Sequence, residues 1–194
     1  MDRIQEYYKN SILANLCNVY KSEWKNAMQS KEELFKLALV QQSLPHMMTF
    51  AYNGIGLTKE YVEEEFKDYI NGKYTAIDVD GVKGNYKTTL YIGENAVLKP
   101  LDDVIAFMWA NVPNLIFKAC KAAKIYVGCK SNVNIIMQGF DSITVMLFDE
   151  SKVTIDECDT TCDVNIYKYS DMATVEIDKY CLAKVNIHQK QLKI

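Results

Sequence analysis

Only two histidines, three prolines and eight glycines occur in 194 residues, and no apolar run approaches the ~20 residues that span a bilayer. The N-terminal MDRIQEYYKNSILANL carries charged and amide residues throughout. It therefore lacks the apolar middle of a signal peptide, and cytoplasmic synthesis without export is expected, with no membrane partner. Neither sign of charge dominates: 22 basic and 25 acidic residues leave a net charge of −3. That excludes a nucleic-acid binder driven by phosphate neutralisation, and equally an acidic disordered tail. No G-x-S-x-G, H-E-x-x-H, Walker or G-x-G-x-x-G pattern occurs, so no catalytic residue and no cofactor is expected. Gly54-Ile-Gly56 lacks the third glycine and the preceding strand, and is read as a turn.

What is present is apolar mass. At 49% apolar residues the chain can build a core, burying roughly 70% of its unfolded surface. Six cysteines (Cys17, Cys120, Cys129, Cys158, Cys162, Cys181) are spread over a chain large enough to fold without staples. They are read as reduced thiols, several of them buried as small hydrophobes. The Cys158-x3-Cys162 spacing has no second pair and no histidine beside it, so no metal site is expected.

The chain changes character along its length. Residues 1–72 read as a helical head. Ile4, Tyr8, Ile12, Leu16 and Tyr20 fall four apart, with Leu13 and Cys17 beside them, giving one helix a broad apolar stripe. That stripe is either core of the head or a docking helix. Ser30-Lys-Glu-Glu33 has capping-box form ahead of a second helix through about residue 42, which Pro45 ends. Asn53-Gly-Ile-Gly56 turns the chain, Thr58 caps a third helix with Tyr61, Val62, Phe66 and Ile70 inward, and Asn71-Gly72 closes it. Residues 73–114 read as a short β linker section that caps the C-terminal repeats, with TAIDV and YKTTLYIG alternating at period two. The run Asp102–Trp109 fits a capped helix or a strand equally.

From 115 to 194 an apolar-x-apolar triplet recurs. Its members are Leu115/Phe117, Ile125/Val127, Val133/Ile135, Ile143/Val145, Val153/Ile155, Val164/Ile166, Val175/Ile177 and Val185/Ile187. The starts step by 10, 8, 10, 10, 11, 11 and 10 residues. Between the paired apolar residues stand polar ones such as Asn134, Thr144, Thr154, Asn165, Glu176 and Asn186, which is the alternation of a half-buried strand. Two positions ahead of each triplet lies a small or short residue: Ala123, Ser131, Asp141, Ser151, Cys162, Ala173 or Ala183. A small residue at a fixed offset implies a tight corner in every unit. Two ten-residue half-coils make a coil of about 21 residues, with strands stacked at ~4.8 Å. An antiparallel meander also accommodates ten residues per strand and turn. Tight hairpins, however, favour Asn-Gly or Asp-Gly, and these turns are short of glycine. The fold class expected is mainly β, with an α-helical N-terminal head and a C-terminal parallel β-solenoid of about ten-residue half-coils.

The units Asp141-Ser-Ile-Thr-Val, Ser151-Lys-Val-Thr-Ile, Ala173-Thr-Val-Glu-Ile and Ala183-Lys-Val-Asn-Ile resemble short-repeat β-solenoids. Such solenoids are common in phage and prophage proteins of gut Bacteroidales, with units of the form SxVxA. The resemblance covers residues 115–194 and implies a virion or prophage-encoded component.

Function classes follow from the surfaces. Tyr126, Tyr167, Tyr169 and Tyr180 belong to a chain with 13 tyrosines, and along a rigid sheet they are candidates for stacking on sugars or anchoring a protein partner. The acidic cluster Asp149, Glu150, Asp156, Glu157, Asp159 and Asp163 raises paired-carboxylate glycosidase chemistry and calcium binding, against the ordinary use of Asp in turns. His188 follows the inward Ile187, and His46 follows Pro45. The leading expectation is a non-enzymatic structural or adhesive protein: the head attaches, and the solenoid is spacer and binding surface. Its partners would be a protein, such as an assembly or virion component, and on occasion a glycan. The last unit ends HQKQLKI, where Lys190 and Lys193 could discourage end-to-end stacking; burial of that end by a second copy is the alternative, and a homo-oligomer is expected. The alternatives are a polysaccharide-acting enzyme with acidic residues on a solenoid face, and a cytoplasmic protein-interaction module.

Overall fold

A computed structural model describes residues 2–14, 25–26, 37, 39, 43–65, 75–79, 88–94, 97, 104–118, 122–139 and 142–192. Its elements are α1 (Arg3–Leu13), α2 (Leu44–Tyr52) and α3 (Lys59–Glu65), then β1 (Thr75–Val79), β2 (Thr88–Glu94), β3 (Val104–Phe117), β4 (Ala122–Gly128) and β5 (Asn132–Met137). The remaining strands are β6 (Ser142–Leu147), β7 (Lys152–Cys158), β8 (Asp163–Lys168), β9 (Thr174–Ile177) and β10 (Lys184–Gln189).

The chain winds as a parallel β-solenoid of about four turns. Even strands stack as β4-β6-β8-β10 and odd strands as β3-β5-β7-β9, every neighbouring pair parallel. The long strand β3 joins the two stacks, pairing with β4 through its first half and with β5 through its second. The ambiguous run at Asp102–Trp109 thus resolves as strand from Val104, and residue 115 lies inside β3. Pro113, which has no N–H for a ladder, sits where the β3–β5 register slips between Val112 and Leu115.

Rungs are 20–22 residues apart: Ile125 lies opposite Val145, Val145 opposite Ile166, and Val153 opposite Val175. Inside, Ile105, Ile125, Val145 and Ile166 form one fully buried column, and Val133, Ile135, Val153 and Ile155 belong to two others. The first coil departs from the triplet spacing. Leu115 pairs with Ile135 rather than Val133, and Ile125 with Val145 rather than Ile143. Ala123 therefore occupies an interior column with Ile143 and Val164 instead of a corner. The single eight-residue step in the triplet spacing marks this slip.

The corner expected from small residues is present between even and odd strands. Ala110, Ser131, Ser151 and Ala173 stack there, each at most 3% exposed. The Ala110 N–H donates to Ser131 Oγ at 3.1 Å, and the Ser131 N–H to Ser151 Oγ at 3.0 Å. A larger side chain has no room between rungs at ~4.8 Å.

The head lies against the outer face of the even-strand sheet. Tyr7, Leu44, Met47, Met48, Ala51, Leu57 and Val62 share a core with Leu90, Val104, Ala106, Met108 and Tyr126. In α1 the buried face is Tyr7, Ser11 and Ala14, while Tyr8 and Ile12 are only half-buried and Leu13 is exposed. The stripe is thus displaced by about one residue from the Ile4-Tyr8-Ile12 row. Leu16 and Tyr20 lie outside the described residues, as does the side chain of Ile4. Helix α2 has no counterpart in the sequence pattern. It opens with Pro45 in its first turn, where a proline costs no hydrogen bond, and its nine residues are too short and too apolar for a clear period. As expected, Thr58 Oγ1 accepts from the Tyr61 N–H at the start of α3 and Val62 is buried; Tyr61 is half-buried, and Phe66, Ile70, Asn71 and Gly72 lie outside the described residues.

Candidate functional site

Two features mark the solenoid flank beyond the head: an outward aromatic column and the groove next to it. Between the inward residues of the first half of β3 and the even strands, Ala106, Tyr126, Met146, Tyr167 and His188 form one outward column. The head covers its first members, so Tyr126 is 4% exposed and burial pushes its hydroxyl up to about 12. Tyr126 is therefore core and not part of a binding surface, because α2 packs over β4. Tyr167 and His188 emerge past the head and stack at 5.0 Å with 19° between their planes. Lys190 Nζ stands 5.4 Å from the Tyr167 ring centre, in cation–π range. One corner away, Tyr169 stacks on Phe148 at 5.0 Å and 10°, and burial raises its pKa. Tyr180 is 62% exposed on the last coil, with Lys179 Nζ 4.7 Å from its ring. Of the four tyrosines, then, Tyr167 and Tyr169 lie on one flank and Tyr126 is withdrawn.

A groove of about 510 Å³ opens between the end of α2 and the last two coils. Thr49, Tyr52 and Asn53 form one wall; Phe148, Tyr169, Asp171, Gln189 and Lys190 contribute to the rest. Gln189 Nε2 donates to Asp171 Oδ1 at 3.1 Å, which fixes part of the polar rim. Next to the groove, Tyr52, Lys130 and Glu150 form a latch between head and solenoid. The Tyr52 hydroxyl donates to Glu150 Oε1 at 2.9 Å, and Lys130 Nζ pairs with Glu150 Oε2 at 3.0 Å. Hydrogen bonds from Lys130 and Tyr52 hold the Glu150 carboxyl below its usual range. Sequence reading missed this latch and groove because their residues come from segments about 80 to 140 positions apart, with no local pattern linking them.

Three members of the acidic cluster, Asp149, Asp156 and Asp163, tie corners and rungs together. Asp149 is 8% exposed, and its carboxylate accepts from the backbone N–H groups of Cys129 (2.6 Å) and Lys130 (2.9 Å) and from Ser151 Oγ (2.9 Å). Cys129, Lys130 and Asp149 all have positive φ, a conformation these hydrogen bonds secure at the corner. Asp156 accepts from Asn134 Nδ2 at 2.8 Å, and Asp163 from Asn186 Nδ2 at 3.4 Å. Asp149 and Asp159 sit in turns at opposite ends of β7. Among the described residues, no three His, Cys, Asp or Glu side chains gather as a cation site would need.

The thiols are graded by depth. Cys129, Cys158 and Cys162 are buried, and Cys181 is half-buried. Burial, with the neighbouring Cys181 second, pushes the Cys158 thiol up to about 12, and burial also raises Cys129. In native-state alkylation, Cys181 is expected to react well before Cys129 and Cys158, because only accessible thiolate attacks. Mass spectrometry of the digested protein measures the order; equal rates would contradict this gradation.

Among the described residues no helix is long and apolar enough to cross a membrane. No family model, no curated protein and no solved structure matches the chain.

Proposed function

We propose that the protein is a non-enzymatic structural and adhesive component of the phage or prophage virion type, whose helical head attaches and whose solenoid is a rigid spacer with a binding flank. The observation that carries this reading is the Tyr167–His188 stack with Lys190 above it, continuing past the head beside the groove at Tyr52 and Tyr169. A flat aromatic ladder on a stiff sheet offers contact area without the entropy cost of ordering a loop. The same surface suits a protein partner or the apolar face of a sugar ring, with Asp171, Gln189 and Lys190 supplying polar contacts. The exposed Leu13 end of α1 supports attachment through the head.

A glycan array paired with a polysaccharide-hydrolysis screen tests the reading. Binding without turnover is expected, and Tyr167→Ala should weaken that binding at least about tenfold, as loss of an aromatic anchor does. Its melting temperature should fall by no more than a few degrees, since the stack is worth only about 0.5–1.5 kcal/mol. Turnover would favour the enzyme alternative. Binding unaffected by Tyr167→Ala would remove this flank from consideration.

A further inference from the structure

The two ends of the solenoid are finished differently. At the first coil, β2 pairs with β3 and β1 pairs with β2, so Tyr91 stacks on Phe107 at 5.4 Å and Thr89 is buried over the interior. At the other end, among the described residues, the strand order stops at β10 on one side and β9 on the other, each paired along one edge only. The interior columns surface there. Ile155 and Ile166 are fully buried one rung below, whereas their partners Ile177 and Ile187 are 49% and 48% exposed. Tyr180 and Leu182 lie open on the same coil. Apolar strand edges left in water are templates for pairing.

We propose that the last coil pairs tail to tail with the last coil of a second copy, β9 of each copy lying antiparallel on β10 of the other. This deepens the assembly part of the proposed function and rests on the chain being a structural component. The charge pattern selects the arrangement. Keeping the inward residues inward sets Val175 opposite Ile187 and Ile177 opposite Val185 of the second copy. Glu176 then faces Asn186, and Asp178 faces Lys184, twice over by the two-fold symmetry. With Val175 set opposite Ile177, the competing two-fold arrangement, β9 on β9, puts Glu176 against Glu176 and pairs no opposite charges across the seam. One coil's end is also of the right size, since standard interfaces use about 20–30 residues a side. A two-fold contact closes on itself and leaves neither β9 nor β10 as an edge, whereas a head-to-tail stack would meet the strands β1 and β2 that already cover the first coil.

Sedimentation equilibrium of the full chain tests this. The wild type should be dimeric at about 100 μM, well above a micromolar Kd. Asp178→Lys and Lys184→Asp should each weaken the dimer about tenfold, because each places like charges together at two symmetric positions. The double exchange D178K/K184D should restore it. Ile177→Lys should give a monomer with an unchanged circular dichroism spectrum. A wild-type monomer, an open-ended series of larger species, or a dimer indifferent to both single exchanges would overturn the proposal. A wild-type monomer that still binds on the array would overturn the dimer alone; failure of dimer and Ile177→Lys monomer alike to bind any ligand would overturn the adhesive reading alone.

Discussion

Replacing Asp149 by alanine is expected to lower the free energy of unfolding by about 3–5 kcal/mol, a large part of a domain's total. The carboxylate accepts three hydrogen bonds at a largely buried corner on the wall of the groove. Removing it leaves the Cys129 N–H and the Ser151 hydroxyl in buried residues without their acceptor, and each such loss costs about 1–3 kcal/mol. It also frees a turn whose residues have positive φ, a backbone state that non-glycine residues hold only when neighbours enforce it. Asp149→Asn keeps one acceptor and the tolerance for positive φ, so its cost should be smaller. Urea denaturation of both variants measures the difference. An alanine variant with an unchanged midpoint would show that the corner does not depend on this side chain.

Gly128→Ala is the second large effect, expected to cost about 1–3 kcal/mol through overpacking. Gly128 ends β4 under α2, and a Cβ there would lie 2.8 Å from Met48 Sδ and 3.0 Å from Met48 Cβ. Its φ is not in the left-handed region, so the penalty is steric and falls on the seam between head and solenoid. The double variant Gly128→Ala/Met48→Ala should be less destabilised than the two single changes summed, because removing the thioether opens the space the new methyl needs. Chemical denaturation of the four proteins gives that coupling. Strict additivity would place the two residues out of contact. Limited proteolysis should also release the head faster from Gly128→Ala than from the wild type.

The repeat is legible because its physics is local. A valine or isoleucine every second residue, with polar residues between, describes one buried strand face within five positions. The small residues at 131, 151 and 173 announce a corner for the same reason: two stacked rungs leave no space there. The slip in the first coil leaves a trace in the eight-residue step, but its meaning depends on which rung meets which. Tyr126 shows the limit more sharply. Its outward position follows from the alternation, yet its exposure depends on whether another element lies above it, and β4 carries no sign of α2. Asp149 looks like an ordinary turn residue, and the partners that bury it are a full coil earlier in the chain.

Stacked parallel rungs with valine and isoleucine inside are written into the chain itself, since alternation and spacing at short range suffice to specify them. Where the head sits, which tyrosines stay in water, what the acidic residues hold, and which end of the solenoid is covered and which open were settled only in three dimensions. Those features depend on contacts between residues about twenty to 140 positions apart. Such contacts are fixed by the packing of whole elements, and no periodicity along the chain encodes them.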